Sequence, residues 1–256
     1  MHFSNVSPNS RHRVPTAVAV ATATVLLAGP SKASASHRGT HAAVAHAAGA
    51  STTDPSPAVA PGVSPTADLD LQTLLTAFSE MPGLQARFVE EKHMRLLAAP
   101  LVSKGRLYFT RPGYLARHVE SPSPSKVLIS PDMLRYSDRS GEGQIDLRAR
   151  PDVKLFVESF VRVLAGDEAG LATVYAIYFE APTAAAMGWT LVLTPKSLSL
   201  RKLISRLTIT GQGLAVHELK VEETSGDWSV TRISDVNPAR IFSMEERRRL
   251  FGASRE

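Results

Sequence analysis

The patterned part of the chain begins with an amphipathic helix. Apolar residues recur at intervals of three and four between residues 68 and 81, the spacing that brings side chains onto one helix face. These residues are Leu71, Leu74, Leu75 and Phe78. Thr66 or Asp68 can cap the start of this helix, and Pro82 with Gly83 ends it.

From Ala86 onward the apolar period falls to two, the period of a strand with one buried face. Leu219 and Val221, for example, flank Lys220. Strands are predicted at residues 86–89, 106–110, 114–119, 126–130, 133–137, 144–147, 176–180, 189–194, 203–210, 215–224 and 228–236. Short links at residues 211–213 and 225–227 predict antiparallel hairpins.

About ten or eleven strands in succession cannot form a flat sheet. We therefore expect a mainly β, α+β fold in which one antiparallel sheet curls over its apolar face, with the other face in water. Arg111 and Pro112 interrupt the strand pattern, because proline cannot donate to a sheet ladder.

A helical segment is inserted between the strands after Asp152, where the period changes to 3.6. Lys154, Glu158 and Arg162 lie four residues apart on one narrow polar stripe, which predicts mutual charge pairing. Most other positions of residues 153–164 are apolar. Such a wide apolar arc indicates a helix that is covered on most sides or that lies across an apolar hollow.

The first 66 residues differ from the rest. Residues 1–35 are built like a secretory signal, with Arg11 and Arg13 before an apolar run and Ala33, Ser34 and Ala35 as the cleavage site. The alternative is a retained anchor, but an apolar run of 16 residues is short for a membrane span of about 20. Residues 36–66 read as a disordered Ala/Pro-rich linker, and residues 67–252 as the folded domain.

Composition narrows the class of protein. The chain has no cysteine, so an exported domain of this kind depends on its apolar core. The net charge of +5 falls to +2 once the three basic residues before Ser36 are removed, which argues against nucleic acid as a partner.

Common catalytic and cofactor motifs are absent from the sequence, so no catalytic, cofactor or metal site is predicted. The histidines at residues 93, 118 and 217 are expected at the surface or a rim. Glu90 and Glu91 are neighbours in a strand and point to opposite faces. The three histidines of the linker at residues 37, 41 and 46 allow a metal-binding arm, although a solvated linker is the simpler interpretation.

A curved sheet with an apolar concave face, an apolar helix able to cover it and an export signal together indicate a container for an apolar ligand. Four segments also resemble the periplasmic outer-membrane lipoprotein carrier (LolA) family, as a divergent subgroup. They are "LQARFVEEK", "KGRLYFTRPGYLARHVESP", "KVLISPDMLRY" and "WTLVLTPKSLSLRKLISRLTIT". The resemblance covers about residues 68–236.

This resemblance implies an incomplete, curved antiparallel β-barrel with a helical lid over an apolar cavity that holds acyl chains. Residues expected to contact lipid in the cavity or lid are Phe88, Leu107, Phe109, Leu115, Phe156, Phe160, Val161, Leu164, Leu191 and Leu193. Arg111 corresponds to the family's arginine that hydrogen-bonds to the lid. Ala116 and Arg117 stand where many carriers have an aromatic residue, so the cavity wall differs there.

The implied function is that of a monomeric periplasmic carrier. Its partners would be a lipoprotein or other lipid cargo, an inner-membrane exporter and an outer-membrane acceptor. The alternative is a sensing protein that uses the same half-barrel to bind lipid or lipoprotein as a signal. A third possibility, a glycolipid-processing enzyme, would need a polar cluster inside the cavity that the sequence does not show.

Overall fold

The computed structural model describes residues 69–183 and 186–252. The predicted signal segment and linker lie outside these residues. The helices of the described part are α1 (Leu71–Glu80), α2 (Pro151–Ala165), α3 (Glu168–Val174), α4 (Leu198–Arg201) and α5 (Met244–Phe251). The strands are β1 (Gly83–His93), β2 (Leu101–Thr110), β3 (Tyr114–Ser121), β4 (Ser125–Ile129), β5 (Met133–Asp138), β6 (Gly141–Asp146), β7 (Tyr175–Glu180), β8 (Trp189–Pro195), β9 (Ile204–Gln212), β10 (Ala215–Glu223) and β11 (Trp228–Asn237).

All eleven strands of the described residues form one sheet in the order β6-β5-β4-β3-β2-β1-β11-β10-β9-β8-β7. Every neighbouring pair is antiparallel, and β1 joins strands β2 to β6 to strands β7 to β11 by pairing with both β2 and β11. Strands β6 and β7 form the two edges, so the barrel is not closed. The predicted fold class, an incomplete antiparallel barrel with helices, is confirmed.

Helices α1 and α2 supply much of the main core. The buried side chains of α1 are Leu74, Leu75 and Phe78, and the Phe78 ring meets Trp189 of β8 edge-on at 6.0 Å. The α1 cap is Asp70, whose side chain accepts the Thr73 N–H at 2.7 Å. The expected cap, Thr66 or Asp68, was therefore wrong, since the helix begins three residues later than predicted.

The two helices touch where α2 ends. Gly166 caps α2 with a φ of 73°, and a Cβ there would collide with the backbone carbonyl of Leu75. On the outer side of α2, Glu158 Oε1 lies 3.6 Å from Lys154 Nζ and its Oε2 lies 3.1 Å from Arg162 Nη2. The predicted charge-paired stripe is confirmed.

Helix α5 covers the outer face of β2, β3 and β4. Its apolar side chains, together with Phe242, bury Tyr108 and Ala116 on that face. The expectation that the outer face lies in water was therefore wrong for these strands. His118, expected at the surface or a rim, is half-buried here, and its ring meets Tyr108 edge-on at 5.2 Å.

None of the helices in residues 69–183 and 186–252 combines the length and apolar character needed to cross a lipid bilayer.

Candidate functional site

An apolar cavity of about 120 Å³ lies between α2 and the concave face of the sheet. Its apolar lining consists of Leu84, Leu107, Leu115, Phe160, Val163, Leu164, Ile209, Val216, Leu219 and Ile233. Arg117 and Thr231 also line it. Pockets that enclose a whole small ligand measure about 300–1,000 Å³, so this cavity is smaller than such a pocket.

The structure places the sequence-predicted lipid contacts in three kinds of position. Four line the cavity, namely Leu107, Leu115, Phe160 and Leu164. Five are almost completely buried in the packing around it, namely Phe88, Phe109, Phe156, Leu191 and Leu193. Val161 is half-buried and faces the turn at Gly113.

Sequence reasoning did not assign several cavity residues. Ile209 lies on β9, Leu219 on β10 and Ile233 on β11. Their side chains line the cavity from the half of the sheet opposite Leu107. The period-two alternation of those strands was the signal that could have found them. The assignment needed the register, which aligns Leu219 with Ile209 and with Thr231.

A buried polar cluster lies in the concave face beside the cavity. Arg117 Nη2 donates to Glu90 Oε2, and to Ser103 Oγ at 3.1 Å. Only 6% of the Arg117 side chain and 1% of the Glu90 side chain is exposed. The sequence did not show this cluster, and one of its members, Arg117, lines the cavity itself.

Neighbouring strands and one aromatic ring position this cluster. Glu90 pairs with Ser103 across β1 and β2, and Arg117 comes from β3. The Arg117 guanidinium lies 4.3 Å from the centre of the Phe88 ring, a favourable cation–π distance. Gly105 lies opposite Phe88 and leaves room for that ring, because a Cβ there would come within 2.9 Å of it.

Burial acts on the ionisation of both charged members of the cluster. Loss of solvent raises the pKa of the Glu90 carboxyl, and the charge of Arg117 opposes that rise. Burial likewise lowers the pKa of Arg117, and Glu90 opposes the change. A second ion pair follows along β1, where Lys92 Nζ lies 2.6 Å from Glu223 Oε1. The two pairs together carry no net charge.

Arg111 lies immediately after β2 and binds the end of a helix. Its Nε donates to the carbonyl of Met81 at 2.9 Å, and its Nη2 donates to the carbonyl of Phe78 at 3.0 Å. These carbonyls belong to the C-terminal end of α1, where a cation is also favoured by the helix dipole. The hydrogen bonds expected of Arg111 are thus made to α1, whereas the helix over the cavity is α2.

No group of three or more histidine, aspartate or glutamate side chains is placed to hold a metal ion within residues 69–183 and 186–252.

Comparisons with known proteins place the chain by family. The sequence pattern described as "outer membrane lipoprotein carrier protein LolA-like" matches residues 63–240. No curated protein matches the chain.

Among solved structures, a LolA superfamily protein of Nitrosomonas europaea is 12% identical, with a TM-score of 0.39 over 70% of this chain and 97% of that one. A putative outer membrane lipoprotein-sorting protein domain of Vibrio parahaemolyticus is 10% identical, with a TM-score of 0.41 over 68% and 93%. The MucA/MucB complex of Pseudomonas aeruginosa includes a chain that is 12% identical, with a TM-score of 0.42 over 68% and 59%.

Proposed function

Because the chain belongs to the outer membrane lipoprotein carrier protein LolA-like family, we propose that it is a periplasmic carrier of lipidated cargo. In this role it shields the acyl chains of a lipoprotein or another lipid during transfer from the inner to the outer membrane. The observation that carries the proposal is the apolar cavity between α2 and the concave face of the sheet.

The cavity has the chemistry that an acyl chain requires. Ten of its twelve lining residues are apolar, so a hydrocarbon chain would exchange water for aliphatic and aromatic contacts. Burial of apolar surface is worth about 0.8 kcal/mol per methylene. The observed volume is too small for a long chain, so binding requires α2, and α1 packed against it, to move away from the sheet.

The polar cluster does not point to an enzyme. A serine nucleophile needs a neighbouring base to take its proton. Within the described residues, the Ser103 hydroxyl donates to Glu90 and accepts from Arg117, and Glu90 is already paired with Arg117. We therefore propose a binding role with no covalent step. A monomer that meets an inner-membrane exporter and an outer-membrane acceptor suits this role.

Mass spectrometry of the organic extract from purified protein is the first test. The expected result is a stoichiometric acyl lipid or lipoprotein, together with transfer of a fluorescent lipid between vesicles by the wild-type protein. Absence of both bound lipid and transfer would contradict the proposal. A stable complex with another protein, without lipid exchange, would instead favour a sensing role.

A further inference from the structure

Arg117 forms a polar end of the cavity, and Glu90 supports it from β1. Arg117 lines the cavity directly, next to Leu107 and Leu115 of the same curved face. Glu90 lies behind it on β1 and receives the Arg117 Nη2 hydrogen bond. Both side chains are more than nine-tenths buried, so bulk water cannot hydrogen-bond to them freely.

Each of these two side chains has one polar atom without a partner. Glu90 Oε1 and Arg117 Nη1 are buried and make no hydrogen bond. A buried unpaired donor or acceptor is costly, and buried polar groups in folded proteins are nearly always hydrogen-bonded. The pair therefore presents one acceptor atom and one donor atom without hydrogen bonds beside the apolar cavity.

The local charge is balanced before any ligand arrives. Arg117 is paired with Glu90, and Lys92 with Glu223. An added carboxylate or phosphate would leave an excess negative charge in a buried region, which is unfavourable. A neutral polar group is the better match.

We propose that Arg117 and Glu90 bind the neutral polar group of an acylated cargo, a group that has both a hydrogen-bond acceptor and a donor. An amide that joins an acyl chain to its carrier has this chemistry, and so does a β-hydroxyacyl ester. Arg117 Nη1 donates to the carbonyl, and Glu90 Oε1 accepts from the N–H or O–H. This inference rests on the proposed function, since it assigns the polar end of the same acyl cavity.

The test compares ligands that share one acyl chain. Competition against a fluorescent fatty acyl probe is measured for N-methyl tetradecanamide, methyl β-hydroxytetradecanoate, methyl tetradecanoate and the tetradecanoate anion. The wild-type protein is expected to bind the amide or the hydroxy ester at least about tenfold more tightly than the simple ester, as a charge-assisted hydrogen bond predicts. Comparison of the amide with the hydroxy ester shows which of these two groups the site prefers.

The diagnostic variant removes both charges and the Glu90 acceptor together, as Glu90→Leu with Arg117→Met. Replacing a buried ion pair by neutral residues of similar volume is tolerated, whereas removing one partner leaves an unpaired charge. The preference over the simple ester should fall to within about twofold in this variant. The matched control is Arg106→Met with Glu120→Gln, an exposed pair joining the same two strands as Ser103 and Arg117, and it should keep the wild-type preference.

The outcomes separate this inference from the proposed function. Binding of all the acyl ligands with no preference in the wild-type protein, or a preference that survives in the diagnostic variant, overturns the polar-end assignment alone. Tightest binding of the tetradecanoate anion also overturns it. Failure of every acyl ligand to displace the probe, with no binding of the probe itself, overturns the proposed function as well.

Discussion

Replacing Arg111 by leucine should release the end of α1 without unfolding the sheet. The arginine donates to the carbonyls of Met81 and Phe78, and leucine can donate to neither. Both carbonyls lie at the C-terminal end of α1, where carbonyls lack partners within the helix, although that of Phe78 also accepts the Met81 N–H at 3.2 Å. In the proposed carrier, Arg111 would act as the latch that favours the closed, empty state.

The size of the effect follows from the chemistry of the two bonds. Hydrogen bonds from a charged donor contribute about 1.5–3 kcal/mol net, and we take that as the total because Arg111 is only half-buried. A shift of this size changes the ratio of open to closed forms about 10- to 150-fold. Lipid should consequently be held more tightly and released to an acceptor more slowly.

Two measurements report the change. Hydrogen exchange should show loss of protection in α1, while the amides of the central strands β1 and β11 remain protected. Vesicle-to-vesicle transfer of a fluorescent lipid should show slower release by Arg111→Leu than by the wild-type protein. Arg106→Leu is the matched control, since Arg106 lies on β2, is exposed, and pairs with the exposed Glu120 instead of a helix end.

The reasoning is refuted if Arg111→Leu keeps the protection of α1 and the release rate of the wild-type protein. Equal effects in Arg106→Leu would also refute it, because loss of any arginine near β2 would then suffice. Collapse of the whole sheet in Arg111→Leu would show that the arginine stabilises the fold instead of controlling α1.

Three other outcomes are expected. Phe160→Asp should abolish lipid binding and leave the sheet folded, because Phe160 lines the cavity. Phe156→Ala should lower the free energy of unfolding by about 3–5 kcal/mol in thermal or chemical unfolding, because the Phe156 side chain is fully buried. Equal stability losses in the two variants would contradict this distinction. Limited proteolysis should trim the chain before about residue 66 and spare the remainder to about residue 252, and early cuts within residues 189–236 would disprove that boundary. The hydrogen bond from the Ser243 backbone N–H is the main reason that the pKa of Glu246 lies below its ordinary value. The α5 cap should therefore be stable at neutral pH and be lost as the pH falls through that lowered pKa. In Glu246→Gln, hydrogen exchange of α5 should no longer respond to pH in that range.

The number of strands and the limits of the later ones could be predicted from local pattern, whereas β1 and β2 extend well beyond the predicted residues 86–89 and 106–110. Strands β7 to β11 begin and end within one or two residues of the predicted limits, since each alternates clearly and is bounded by a short turn or a proline. The two helices over the concave face were also predicted, because a period of 3.6 persists through their apolar stripes. Short antiparallel links then leave few possible strand orders.

The polar cluster could not be predicted because its three members come from different strands. The alternation of apolar residues does not show which face of β3 is the concave one. Leu115, Arg117 and Val119 point to the concave face, but Ala116 on the other face is also buried. That second burial is caused by α5, which is distant in sequence. Only the register that sets Arg117 against Leu107 shows that a charged side chain points into the cavity.

The energetics of the proposed transfer explain why small polar interactions matter in such an apolar site. An acyl chain of about 15 methylenes gains on the order of 12 kcal/mol when it leaves water, and a bilayer supplies the same amount. The cavity has only to match the bilayer, so the transfer itself is close to isoenergetic. Terms of one to three kcal/mol, such as the Arg111 bonds to α1, are then large enough to decide between loading and release. A larger apolar cavity would bind cargo more tightly and also slow its delivery, so control by a few polar contacts suits a carrier better than greater hydrophobic affinity.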